Sequence, residues 1–111
     1  MAYGNWDEVV ETFERAVKHA SYGELAQKML VLVKQLKEHP SVQGMIPGTS
    51  LLTLFLELPG RHIKLNVIWY EEGEFRVYLD DPEFNVVDEK VVDEDHVIQS
   101  IEEYIDRLRE I

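Results

Sequence analysis

The chain contains no cysteine, which excludes disulfide staples, thiolate metal ligands and a thiol nucleophile together. Basic charge is also scarce: 11 Lys and Arg stand against 22 Asp and Glu, for a formal net charge of −11. That balance argues against nucleic acid or anionic membrane as the primary partner, because both are gripped through clustered Lys and Arg. No apolar run approaches the roughly 20 residues that a membrane span needs. The opening residues, Met1 to Asp7, have neither the basic nor the apolar stretch of a signal peptide. A cytoplasmic protein is the expectation. With 111 residues, one domain spanning 1–111 is expected to bury roughly two thirds of its unfolded surface without a staple. Acidic balance suits steering toward a basic protein surface, although solubility alone also selects it.

What is present is a long stretch of alternation between Ser50 and Leu79. Leu52, Leu54, Leu56 and Leu58 alternate with Thr53, Phe55 and Glu57; Ile63, Leu65, Val67 and Trp69 alternate with Lys64, Asn66, Ile68 and Tyr70; Phe75, Val77 and Leu79 alternate with Arg76, Tyr78 and Asp80. A period of two over such lengths predicts half-buried antiparallel strands. Pro59-Gly60 suits a two-residue turn, which would pair Leu56 with Ile63, Leu54 with Leu65, Leu52 with Val67, and Glu57 with His62. Glu71-Glu72-Gly73 reads as a three-residue loop with Gly73 left-handed. It pairs Trp69 with Phe75, Val67 with Val77 and Leu65 with Leu79. A slip of one residue would mix the faces.

Asn5 followed by Glu8 predicts a capped helix start, and Trp6, Val9, Val10, Phe13, Ala16, Val17 and Ala20 follow at helical spacing. Ser21 with Glu24 predicts a second cap before the stripe Tyr22, Leu25, Ala26, Met29, Val33 and Leu36. The two stripes are out of phase by roughly 140° on one continuous helix, so a break near Ser21–Gly23 is expected. The rival is one kinked helix with two apolar faces, one of which would need another cover. His39-Pro40 ends the second helix, and residues 40–49 read as an irregular connection. Asp80 to Glu83 reads as a turn, followed by a short fourth strand at Phe84–Val87 that could continue to Val92. Asp93 is expected to cap a last helix with Val97, Ile98, Ile101, Tyr104, Ile105 and Leu108 on one stripe. The order predicts an α+β domain: an N-terminal helical pair, a three- to four-stranded antiparallel meander and a C-terminal helix, with the helices on one face.

Motifs for chemistry are few. His19, His39, His62 and His96 are scattered and lack metal-ligand spacing. The acidic segment of Asp80, Asp81, Glu83, Asp88, Glu89, Asp93, Glu94 and Asp95 lacks the calcium-loop pattern. It fits a solvated turn and an acidic helix start. Gly44 to Ser50 fails as a phosphate loop because it has no lysine and leads into a strand. The serines sit in no nucleophile-elbow setting. The expectation is therefore no enzyme, no cofactor and no metal site.

The sheet face away from the core is the candidate site. Phe55, Lys64, Asn66, Ile68, Tyr70, Arg76 and Tyr78 fall there by parity, beside Thr53. Aromatics mixed with Arg are the residues that dominate protein-interface energetics, whereas strand propensity alone also favours Tyr and Phe. The leading expectation is a non-catalytic acidic protein-binding module, in its most concrete form an immunity or antitoxin-type inhibitor of a basic protein. The alternatives are a homo-oligomeric structural or adaptor protein, with a homodimer as its simplest form, and a small-molecule-binding protein or unrecognised enzyme with its site between the sheet and residues 40–49.

Overall fold

Helix α1 spans Trp6–Val17, and Asn5 caps it as its spacing predicts. The Asn5 side-chain oxygen accepts from the backbone N–H groups of Asp7 and Glu8. The computed structural model describes residues 2–71 and 73–110. The predicted break is present: after Val17 the chain passes through a short 3₁₀ turn, Ala20–Tyr22, before α2 at Gly23–Lys37. Ser21 does not cap α2. Tyr22 holds the cap position without a side-chain hydrogen bond, and Ser21 is taken up in the 3₁₀ turn. The break re-phases the chain, so Val9 and Phe13 of α1 enter the same core as Met29, Leu32, Val33 and Leu36 of α2.

Five strands follow where three to four were expected: β1 Ile46–Ser50, β2 Thr53–Glu57, β3 Lys64–Glu71, β4 Glu74–Asp80 and β5 Val86–Asp93. They form one antiparallel meander in chain order. The extra strand, β1, lies in the connection that Pro47 and Gly48 disguise as a loop. Tertiary contact makes it a strand. Residues 2–4 run along its outer side, with Thr49 N–H donating to Ala2 (2.9 Å) and Gly4 N–H to Pro47 (2.7 Å). Leu52, expected in a strand, instead sits with Leu51 in the tight β1–β2 turn.

The β3–β4 register is the predicted one, pairing Trp69 with Phe75, Val67 with Val77 and Leu65 with Leu79. Gly73 has the predicted positive φ, +83°. Glu71 pairs with Glu74 beyond a bulge that leaves Tyr70 unmatched, while Glu72 lies outside the described residues. The β2–β3 register differs from expectation by two residues: Leu54 pairs with Val67, Leu56 with Leu65 and Glu57 with Lys64. The Pro59-Gly60 turn does form, with Arg61 N–H donating to Leu58 (3.0 Å). Arg61 is drawn off the ladder, however, because its Nε donates to the Leu108 carbonyl at 3.0 Å. Ile63 packs against the core. Strands therefore pair only from Glu57 and Lys64 inward. A slip of two keeps every side chain on its face.

The fourth predicted strand starts later than Phe84 and runs farther, to Asp93. Asp81 holds the preceding loop, its carboxylate accepting from the backbone N–H groups of Asn85 and Glu83 (2.9 Å each). Those bonds, the one from Asn85 first, hold its carboxyl below the usual range. The last helix, α3, spans Val97–Glu110. Asp93 accepts from His96 N–H one turn ahead of it (3.1 Å).

All three helices contribute to one buried cluster with Leu54, Leu56, Leu65, Val67, Phe75, Val77 and Leu79 of the sheet. Tyr104 of α3 is fully buried there, and its hydroxyl has no protein partner among the described residues. Lys90 Nζ lies 4.9 Å from its ring centroid. Burial pushes the phenol pKa up to about 12. Tyr104→Phe keeps the ring and removes an unsatisfied polar atom, so a gain of about 1 kcal/mol is expected in urea unfolding. A raised folded pKa means stability is lost as pH climbs above about 10, the unfolded tyrosine value. The variant should lose part of that alkaline dependence, and a variant less stable than wild type would refute the assignment.

Candidate protein-binding face

The registers arrange the open face in rows that cross the strands. One row runs Tyr3, Gly48, Phe55, Asn66, Tyr78 and Glu89, each the cross-strand partner of the next. Beside it run Glu57, Lys64 and Asp80. On the other side Ile68, Arg76 and Val91 are partners in turn. The registers thus bring six of the seven predicted residues to the face, with Tyr70 left unmatched at the bulge, and their surroundings then divide them.

Phe55 is not free for a partner, being only 5% exposed. It lies across Gly48, where no Cβ intervenes, and its ring is flanked by Tyr3 (centroids 6.1 Å apart) and by Lys64 Nζ (5.0 Å). Asn66 is buried and donates through Nδ2 to Asp80 Oδ1 at 2.8 Å. Ile68 is half-buried, and Tyr70 is exposed at the bulge. Arg76 lies over the Tyr78 ring, 4.1 Å from its centroid, and pairs with Glu89 at 2.7 Å. Partial burial raises the Tyr78 phenol pKa, opposed by Arg76.

Four further residues join the face without a place in the predicted set. Asp80 belongs by alternation to this face yet reads as part of an acidic turn. Glu57 is expected opposite His62 and Phe84 in a strand, and Tyr3 carries no signal in the sequence pattern. The structure gathers them around a groove of about 420 Å³ with Phe55, Lys64, Asn66 and Tyr78. Tyr3 hydroxyl donates to Glu57 at 3.1 Å. Phe84, at φ +65°, projects as an exposed ring whose centroid lies 5.6 Å from Lys64 Nζ.

The electrostatics of the groove are uneven. Asp80 is 7% exposed and, among the described residues, its side chain accepts one hydrogen bond, from Asn66. Lys64 is its cross-strand partner, but the ammonium lies near the Phe55 and Phe84 rings and, among the described residues, makes no ion pair within 4 Å. A buried carboxylate without a countercharge is costly, and a cation against ring faces is favoured. The groove therefore suits a cationic group.

The histidines stay apart. His19 stacks on Tyr22, His39 meets Glu102 at 3.0 Å, and His96 meets Asp93 at 2.6 Å. The acidic segment is likewise divided among separate partners: Asp88 pairs with Arg107 and Asp93 with His96.

Fold and face together define an α+β domain with three helices on one side of a five-stranded antiparallel meander and an open, aromatic-acidic face on the other. No family model matches the chain, and no curated protein or solved structure matches it.

Proposed function

We propose that this protein is a non-catalytic binding module whose open sheet face receives a basic segment of another protein. The observation that carries the reading is Asp80, a carboxylate buried at an aromatic-walled groove with no cation paired to it among the described residues. An incoming guanidinium would lie on Tyr78 or Phe84 as Arg76 and Lys64 already lie on their rings. Its charge would be met by Asp80 and Glu57. The net charge of −11 would steer such a partner from a distance. The most concrete form remains an immunity or antitoxin-type inhibitor that covers the basic site of its target. Small size and acidity support that form by analogy.

Titration of isotope-labelled protein with a short arginine-rich peptide tests the reading. Amide shifts are expected to concentrate at Phe55, Asn66, Tyr78 and Asp80. Asp80→Asn should weaken binding about tenfold, as loss of a charge-assisted hydrogen bond would. Shifts spread over the acidic helix surfaces, with Asp80→Asn inert, would refute it.

A further inference from the structure

We propose that β5 pairs with the β5 of a second copy of this chain, in one defined register, to extend the sheet across a two-fold axis. The inference is independent of the docking reading, because it uses the edge of the sheet and leaves the open face free.

The two edges of the sheet are treated differently. The β1 edge is closed by residues 2–4, through Thr49 N–H to Ala2, Gly4 N–H to Pro47, and the Tyr3–Gly48 bridge. The β5 edge has no strand beside it among the described residues. It is eight residues long, free of proline and glycine, and carries three half-exposed valines, Val86, Val87 and Val91. Half of its residues are charged and it is bulged at Val87, where Val86 opposes Asp80, yet long unpaired edges template further pairing unless they are guarded. Inward-pointing charge is one such guard, and Asp88 and Lys90 do share the core face of β5. Both are already satisfied, Asp88 by Arg107 and Lys90 by Glu103 (2.5 Å) on α3. They do not repel a neighbouring strand.

Self-complementarity selects the register. Two copies related by an axis normal to the sheet pair antiparallel, and residues opposite each other must share a face. The axis must then pass through a residue rather than between two. An axis at Asp88 sets Glu89 against Val87, a carboxylate against an aliphatic side chain. An axis at Lys90 sets Asp88 against Val92 in the same way. An axis at Val91 opposes Glu89 to Asp93, two carboxylates. Only an axis at Glu89 matches the pairs beside it: Asp88 with Lys90 on the core face and, at the bulge, Val87 with Val91. Glu89 then meets its own copy, but each is already bound by Arg76, at 2.8 Å through Nε and 2.7 Å through a terminal nitrogen. Like charges across strands are costly, and here each is neutralised within its own subunit. The net charge of −11 per chain opposes association, with screening beyond about 10 Å at 0.1 M salt.

The product is a ten-stranded sheet with both open faces on one side and all helices on the other. Sedimentation should show a species of twice the 13.0 kDa chain mass as concentration rises.

The absence of native cysteine allows a direct test of register. Residues opposite each other at the axis have Cα atoms about 4.5–5.5 Å apart, inside disulfide range. Glu89→Cys should therefore oxidise to a covalent dimer. Val91→Cys should not, because its copy lies four residues along, about 13 Å away. Val87→Lys with Val91→Lys should abolish the dimer, and Val87→Lys with Val91→Glu should restore it by opposite charge. Unfolding temperatures confirm that each variant is folded. A wild-type chain that stays monomeric at several hundred micromolar overturns the proposal, as does cross-linking at position 91 in preference to 89.

Discussion

Leu65→Ala is expected to destabilise the protein by about 2–5 kcal/mol, the range for emptying a large aliphatic site in a tight core. Leu65 is wholly buried in β3, with Leu56 and Leu79 as its cross-strand partners. A cavity there is walled by β-sheet on both sides, which cannot collapse inward without breaking a ladder. Domains of this size have about 5–15 kcal/mol in total, so the unfolding temperature should drop by roughly 10–20 °C. Arg76→Ala, on the opposite face in the neighbouring strand, should cost within about 1 kcal/mol, because it removes a partly exposed pair with Glu89. Thermal unfolding of the two variants side by side reads the faces of the sheet directly. Equal losses would mean that the open face is covered and that no docking surface exists there.

Gly48→Ala should also destabilise, although glycine inside a strand is ordinarily worse than alanine by roughly 0.5–1 kcal/mol. The usual sign reverses because an added Cβ would stand 2.3 and 2.6 Å from two carbons of the Phe55 ring and 3.0 Å from the Ala2 carbonyl oxygen. The ring cannot step aside, since Tyr3 and Lys64 flank it. Overpacking of this kind costs about 1–3 kcal/mol, and displacing Phe55 also disturbs the wall of the groove. The clash predicts non-additivity: Phe55→Leu should recover part of the loss in the Gly48→Ala background while destabilising the wild type. Additive effects, or a more stable Gly48→Ala, would show that Phe55 does not rest on Gly48.

The open face was legible as a set of residues and illegible as a surface. Alternation placed Phe55, Lys64, Asn66, Ile68, Tyr70, Arg76 and Tyr78 together because side chains on a strand have a period of two, whatever the pairing. It could not say that Phe55 and Asn66 would be covered. That depended on Tyr3, from the far end of the chain, and on Gly48, a residue that reads as loop. Nor could it assign Asp80 and Phe84, whose environment comes from a loop closed by Asp81. The signal for Asp80 was present in its parity with Arg76 and Tyr78 but was outweighed by the acidic run that follows it.

The sequence by itself determined the faces of the sheet, the β3–β4 register and the break between the N-terminal helices. These depend on short-range periodicity and on residues such as Asn5 and Gly73, whose preferences act within a few positions. Tertiary structure alone decided the two-residue shift between β2 and β3, the existence of β1 and the start of β5 at Val86. A shift of two costs nothing in side-chain parity, so only distant contacts, such as Arg61 with the end of α3, could choose between registers. β1 exists for the same kind of reason: its outer hydrogen bonds come from residues more than forty positions away.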